Sequence, residues 1–135
     1  NKRISIVGKD ISIDGNNGSK TAAKSELEYD NSKSNEMINN QLPTGEQLEE
    51  LKKECVWSWN GTGYHVTGPN GNFITLPASG YRDCNGNYIY MGLGGYYWSS
   101  TSTDFDAANY IFFDASKVSV YSVNRCNSFS VRIVK

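Results

Sequence analysis

The hydrophobic pattern of this chain changes its period just after Cys55. Before that point Leu48, Leu51 and Cys55 recur at three- and four-residue steps, which is the spacing of one helix face. Thr44 is placed to cap this helix, and Gln47 follows it in the capping-box position. After Cys55, aromatic and β-branched residues alternate with polar ones, which is typical of strands. The sequence therefore predicts an α+β domain in which a helix, Thr44 to about Cys55, packs on a twisted, mainly antiparallel sheet.

The residues around this helix refine the prediction. Its opposite side carries charged residues and is expected to be an ordinary solvated face: Glu46, Glu49, Glu50 and Lys53. Downstream, the Trp-Ser-Trp run of residues 57–59 places both indoles on one face of a strand. The Asn70-Gly71 pair predicts a hairpin between Tyr64–Thr67 and Phe73–Leu76.

The N-terminal part is less regular. Ile4–Val7 and Ile11–Ile13 predict two short strands, followed by the turn-rich run Asp14–Gly18. Residues 19–41 are polar, and two interpretations remain open for them. Part of this stretch forms a helix near Ala22–Tyr29, or much of it is a mobile excursion.

Length and charge limit the classes of protein to consider. At 135 residues the chain is expected to be one domain, with a variable N-terminal segment at 1–40 and a core at 41–135. Thirteen basic and fourteen acidic residues leave a net charge of −1, which gives no electrostatic reason to expect a nucleic-acid partner. The longest apolar runs are too short to cross a bilayer, so no direct membrane insertion is predicted.

No cluster of residues predicts catalysis. The single histidine, His65, lies in the middle of the predicted hairpin rather than beside a nucleophile, and zinc would need three or four ligands. We therefore expect no enzyme activity, no catalytic residue, no cofactor and no metal. Cys55, Cys84 and Cys126 have no metal-ligand spacing. Three buried thiols is the favoured interpretation, and one disulfide plus one free thiol is the other.

Several short motifs occur together in a specific order. Leu42-Pro-Thr44 precedes the helix, Gly80-Tyr-Arg82 follows the hairpin, and Tyr96–Ser100 and Phe129–Arg132 lie in the last forty residues. In this order they resemble the FISUMP-type (Fibrobacter succinogenes major paralogous) domain of Bacteroidetes surface proteins. Members usually carry Trp-Arg directly before Leu-Pro-Thr, where this chain has Asn40-Gln41. The resemblance implies a C-type-lectin-like fold, related to that of retroelement-diversified variable proteins, and a role in display and binding.

In those related proteins the variable positions lie in the C-terminal third, which directs attention to two strand-like runs here. Alternation assigns Ile111 and Phe113, and in the next run Val118 and Val120, to the inner face. The residues between them then point outward, and a turn near Ala115-Ser116 brings the two runs side by side. The candidate ligand-binding surface combines these outward residues with flanking loops: Thr103, Asp104, Phe105, Tyr110, Phe112, Asp114, Ser119, Tyr121 and Asn127.

The functional expectation is a non-catalytic ligand-binding or adhesion domain that binds an extracellular protein or glycan. Its expected location is extracellular or on a bacterial cell surface, and anchoring as a lipoprotein is one form this would take. Two alternatives stay open: a structural end-module of a larger surface protein, and a retroelement-diversified receptor-binding protein. Exposure of Tyr110, Phe112 and Tyr121 as one patch would favour binding, whereas their burial against the same chain would favour the structural module.

Overall fold

The computed structural model describes the backbone of residues 3–7, 10–15, 18–30 and 42–134, and the side chains of residues 42–132. Within these residues the chain forms one α-helix and twelve β-strands. The elements are α1 (Gly45–Glu54), β1 (Arg3–Val7), β2 (Asp10–Gly15), β3 (Gly18–Asp30), β4 (Val56–Trp59), β5 (Gly63–Thr67), β6 (Phe73–Pro77), β7 (Tyr81–Arg82), β8 (Tyr88–Ile89), β9 (Gly95–Asp104), β10 (Ala107–Asp114), β11 (Lys117–Asn124) and β12 (Ser128–Val134).

The strands form two sheets. The larger has the order β1-β2-β3-β12-β9-β10-β11, with β7 paired to β12 and β8 paired to β7, and the smaller is β4-β5-β6. Neighbouring strands run antiparallel except β12 and β9, which pair in parallel at Ser130 and Tyr97. One helix packed against a mixed, largely antiparallel sheet is an α+β architecture, so the predicted class is confirmed.

The predicted helix is confirmed together with its capping box. The Gln47 backbone N–H donates to the Thr44 hydroxyl at 3.1 Å, and the Thr44 N–H donates to Oε1 of Gln47 at 2.9 Å. Leu48 and Leu51 are buried, as the stripe predicts. The solvated-face prediction is wrong for Glu50, which is only 7% exposed. The reason is that α1 lies over β10 and β11, whose Asn109 and Val120 line a groove with this side of the helix.

Both predicted hairpin turns are confirmed. Between β5 and β6, Gly71 has φ +87°, a left-handed conformation that glycine adopts without steric cost, and its N–H donates to the Gly68 carbonyl at 3.0 Å. Between β10 and β11, the Asp114 carboxylate accepts from the backbone N–H of Ser116 at 2.8 Å and of Lys117 at 3.0 Å. These local bonds fix the register of the strands on either side.

At the N-terminus, β1 and β2 confirm the two predicted strands and pair antiparallel. The helix predicted near Ala22–Tyr29 is wrong, because that stretch belongs to β3 and pairs with β12, with Tyr29 opposite Phe129. The polar composition of β3 gives little local strand signal, and pairing with a partner roughly a hundred residues away overrides it. The mobile excursion predicted within residues 19–41 is likewise wrong for residues 19–30, which belong to β3, and residues 31–41 lie outside the described residues.

The strands β9, β10 and β12 bury side chains on both faces. On the face toward α1 and the small sheet lies the helix-side core, whose buried members are Leu48, Leu51, Cys55, Tyr64, Val66, Ile74, Leu76, Ala78, Tyr97, Ile111 and Phe113. On the other face lies the aromatic-side core, whose buried members are Leu42, Tyr96, Trp98, Ala108, Phe112, Phe129 and Val131. The central strands therefore have no fully solvated face along most of their length.

A disulfide joins Cys84, in the turn between β7 and β8, to Cys126, in the turn between β11 and β12, with a Cα–Cα separation of 5.0 Å. Cys55 is a free thiol and is buried. The favoured interpretation of three buried thiols is thus wrong, and the pairing of one disulfide plus one free thiol holds. No helix among the described residues is long and apolar enough to cross a membrane.

Candidate ligand-binding surface

Cross-strand pairing lines up the aromatic residues of β9, β10 and β11. Tyr110 lies opposite Trp98 on one side and Tyr121 on the other, and Phe112 lies opposite Tyr96 and Ser119. Residues opposite each other in a ladder project from the same face of the sheet. Tyr110, Phe112 and Tyr121 therefore share the face of the aromatic-side core, and the predicted neighbour relation of Tyr110 and Tyr121 is confirmed.

We name the outer part of this face the aromatic face: Tyr90, Tyr110, Phe112, Lys117 and Tyr121. The ring of Tyr121 lies 6.1 Å from that of Tyr110 and 6.3 Å from that of Phe112, centroid to centroid. The ammonium of Lys117 lies 5.6 Å from the Phe112 ring and 5.7 Å from the Tyr121 ring. These distances are within the range of aromatic pairing and of cation–π contact, so the group is contiguous.

Tyr90 enters the aromatic face from the loop between β8 and β9. Its φ is +55°, and its carbonyl accepts from Leu93 N–H at 2.9 Å and Gly94 N–H at 3.1 Å. For a residue with a side chain this left-handed conformation costs roughly 1–2 kcal/mol. A Cβ on Gly94 would stand 3.1 Å from the Tyr90 ring and 3.3 Å from the Phe112 ring. Because Gly94 has no side chain, both rings approach its backbone closely.

Exposure increases outward across the aromatic face. Phe112 is 8% exposed and Tyr110 is half-buried, whereas Tyr121 is 43% and Tyr90 is 50% exposed. The prediction that Phe112 points to solvent is wrong. Alternation along β10 correctly places Phe112 and Phe113 on opposite faces of the sheet. The face of Phe112 is covered by Tyr96, however, whose ring lies 5.1 Å from Phe112.

Hydrogen bonds set the charge of this surface. The hydroxyl of Tyr121 is 3.3 Å from Lys117 Nζ. Hydrogen bonding to Ser119 and to Lys117, together with the positive charge of Lys117, lowers the pKa of the exposed Tyr121 hydroxyl. The pKa of Asp114 is also lowered, first by the Ser116 backbone and hydroxyl and then by Lys117. A partner would therefore meet the Lys117 ammonium beside the Asp114 carboxylate, which the hydrogen bonds of its own turn keep ionised.

The nine predicted site residues do not form one surface. Asp104 and Phe105 lie at the hairpin tip between β9 and β10, and β10 separates this tip from the Asp114 end by roughly 23 Å at about 3.3 Å per residue. Thr103 contacts the hydroxyl of Ser122, on the side of the sheet that faces α1. Five predicted residues do come together, namely Tyr110, Phe112, Asp114, Ser119 and Tyr121.

Asn127 is the clearest misplacement, since it is only 7% exposed. Its side-chain amide donates to the Asn124 carbonyl at 2.9 Å, which closes the turn before β12. Tyr90 and Lys117 were missed by sequence reasoning. The glycines around Leu93 were a usable signal for Tyr90, because a glycine-rich bend after an aromatic run leaves rings at the surface.

The other described groups that could bind a metal or a ligand show no arrangement that points to a function. Among the side chains of residues 42–132, no cluster of three or more His, Cys, Asp or Glu could hold a metal ion. His65 stacks on Phe73 with ring centroids 3.9 Å apart, on the small sheet. A wide groove of about 700 Å³ beside α1 has acidic residues as half of its lining, among them Glu46, Glu49 and Glu54. The aromatic face thus remains the best candidate surface.

One family matches most of the chain. Its model, described as a domain of unknown function (DUF8237), covers residues 31–134, and the chain belongs to that family. Comparisons with curated proteins and with solved structures find no match.

Proposed function

We propose that this DUF8237 domain is a non-catalytic ligand-binding or adhesion domain with a C-type-lectin-like fold, which binds an extracellular protein or glycan through its aromatic face. A capped helix packed against a curled, mixed sheet is compatible with that fold. The FISUMP-like motifs supply the link to bacterial surface proteins. Leu42 is buried in the aromatic-side core, and Tyr96 and Phe129, which begin two of the other motifs, pack 5.3 Å apart in the same core.

One observation carries the proposal: two tyrosine rings stay about half exposed although they rest on a buried aromatic base. The Tyr121 ring borders Phe112, which in turn packs on Tyr96, and the Tyr90 ring lies close to the same Gly94 backbone as Phe112. A ring held in this way loses little conformational entropy when a ligand covers it, and it offers both an apolar face and a hydroxyl. Rings of this kind are frequent hot spots in binding surfaces.

The disulfide supports the proposed location. Bonds such as Cys84–Cys126 persist in oxidising compartments and are rare in the cytosol of ordinary bacteria. An extracellular or surface-displayed domain therefore agrees with the cysteine chemistry, whether the parent protein is released or anchored as a lipoprotein.

A structural end-module is the second candidate, and burial within the patch favours it. Phe112 is buried, and Tyr110 is half-buried with its ring 4.8 Å from Phe129. These two rings stabilise the domain whether or not a ligand exists. A retroelement-diversified receptor-binding protein is the third form, and it would place its variable residues at exposed positions such as Tyr121.

The test is a binding screen with a matched set of variants. The domain is applied to a glycan array and to intact bacterial and host cells, and each hit is titrated against Tyr90→Ala, Tyr121→Ala and the control Phe73→Ala. A tyrosine worth about 2 kcal/mol predicts roughly 30-fold weaker binding for each of the first two. Unchanged affinity in both would place the binding site elsewhere. Absence of any binder would favour the structural end-module.

A further inference from the structure

A single phenylalanine stands almost free of the molecule at the tip of the β9–β10 hairpin. Phe105 is 93% exposed, the highest value among the large apolar residues that are described. Asp104 and Asp106 flank it, and both are exposed. A partner that covers this ring removes its apolar area from water, which favours docking.

The tip is braced from one side. The Arg125 N–H donates to the Asp106 carbonyl at 2.8 Å, and the Arg125 guanidinium donates to the hydroxyl of Ser102. The next residue, Cys126, is tied by its disulfide to Cys84. The hairpin tip is therefore held in place by a neighbouring turn, so docking it costs less conformational entropy than docking a loose loop would.

The aromatic face is complementary to this tip. It offers exposed rings at Tyr90 and Tyr121, and its cation is Lys117. The carboxylates beside Phe105 are opposite in sign to the Lys117 ammonium, so the tip has to dock on the Lys117 side of the aromatic face, away from the Asp114 carboxylate. The two surfaces lie toward opposite ends of β10, so a chain cannot bring its own tip onto its own aromatic face.

We infer that the tip of one copy docks on the aromatic face of a second copy, with Phe105 against Tyr121 and Tyr90 and with Asp104 or Asp106 paired to Lys117. Because the contact joins two different surfaces of the chain, head-to-tail docking gives open chains or rings, and two copies that exchange tips give a reciprocal dimer. The inference needs no other ligand. It does use the same face as the proposed function, and self-association would compete with ligand binding there.

Sedimentation velocity on the purified domain, up to about 1 mM, is the first test, because a contact built on one ring lies at the small end of protein interfaces. The expected result is an average mass that rises with concentration, is weakened by salt, and stays at the monomer value for Phe105→Ala and for Lys117→Glu. Phe73→Ala and Lys53→Glu are the matched controls, since they remove an exposed phenylalanine and reverse an exposed lysine elsewhere. They should associate like the parent chain.

Mixing two variants distinguishes a contact between tip and aromatic face from one that pairs identical surfaces. Phe105→Ala keeps an intact aromatic face and Lys117→Glu keeps an intact tip, so an equimolar mixture should form dimers that cannot grow. Combining Lys117→Glu with Asp104→Lys and Asp106→Lys should restore association of that triple variant with itself. A parent chain that stays monomeric over the whole range overturns the inference, and so does a Phe105→Ala variant that associates like the parent. Either result leaves the ligand screen on the aromatic face unaffected.

Discussion

Both faces of the central sheet bury large side chains, but the two cores differ at their outer edges. The helix-side core is closed by α1 and by the small sheet, so Ile111 and Phe113 are 1% and 0% exposed. The aromatic-side core is built mostly from rings and opens outward, from Phe129 at 1% exposure to Tyr121 at 43%. Among the described residues, one face is covered by a helix and a second sheet, and the other is covered by side chains such as Leu42 and Tyr81.

This difference explains why alternation alone misplaces the site. A strand with one solvated face shows apolar and polar residues in turn, but β10 carries Tyr110-Ile111-Phe112-Phe113 and buries both sides to different degrees. The exposed surface therefore consists of Tyr121, Lys117 and Tyr90, and does not include every residue on the outward face of β10.

The largest expected effect tests whether both faces are cores. Phe113→Ala on the helix side and Phe129→Ala on the aromatic side should each lower the free energy of unfolding by about 3–5 kcal/mol, because both rings are fully buried. Urea denaturation measures the two. A loss below about 1 kcal/mol for Phe129→Ala alone would mean that the aromatic-side core is loosely packed.

The disulfide between Cys84 and Cys126 is expected to stabilise the aromatic side of the sheet. The disulfide joins two turns whose adjoining strands contribute Tyr81 and Phe129 to the aromatic side, and its cysteines are 42 residues apart. Replacing Cys84 and Cys126 by Ser should cost about 2–4 kcal/mol. A reducing agent should destabilise the parent chain and the Cys55→Ala control by a similar amount, and leave the double variant unchanged. An unchanged parent would argue against the bond.

On the helix side, Cys55 predicts a pH dependence. Burial, and then the negative charges of Glu54 and Glu50, raise its pKa from 9.0 to about 12. The unfolded chain loses this proton at lower pH than the native chain does, so the stabilising contribution is complete below pH 9 and is lost as the pH rises toward 12. Unfolding free energy should fall more steeply over that window in the parent than in Cys55→Ala. Equal slopes would contradict the assignment, as would rapid thiol labelling of the native chain at pH 8.

The smallest effect on stability is expected at the exposed edge of the aromatic-side core. Tyr121→Ala should change the unfolding free energy by less than about 0.5 kcal/mol, whereas Tyr110→Ala should cost about 1 kcal/mol or more because its ring also contacts Phe129. Thermal denaturation compares them. If Tyr121→Ala is as destabilising as Tyr110→Ala, Tyr121 belongs to the core and is a poor candidate for binding.

Local signals determined which parts of the fold were predictable. The capping box at Thr44 and the Asn70-Gly71 turn depend on neighbours within a few residues, and both are confirmed. The strand β3 depends on β12, at the far end of the chain, so a polar stretch with some helix-forming residues gave the wrong element. The disulfide likewise requires knowledge of which two of the three cysteines meet in space.

For the candidate site, the sequence predicted which strand residues pair but not how deeply each side chain is buried. The turn at Ala115-Ser116 fixed Tyr110 opposite Tyr121, which local pattern can reveal. That Phe112 is buried and Phe105 lies at the far tip depends on what packs against the second face and on how long the strands run. The alternation of side chains along a strand reveals neither of these.

The position of β12 has a consequence for how the chain reaches its native state. It lies between β3 and β9 and is the last of the described strands to be synthesised. Until β12 arrives, the β1–β2–β3 meander and the β9–β10–β11 meander are separate units, each with an unpaired inner edge. The larger sheet is therefore complete only when β12 pairs with both meanders, and long-range pairing of this kind is typical of slow folding.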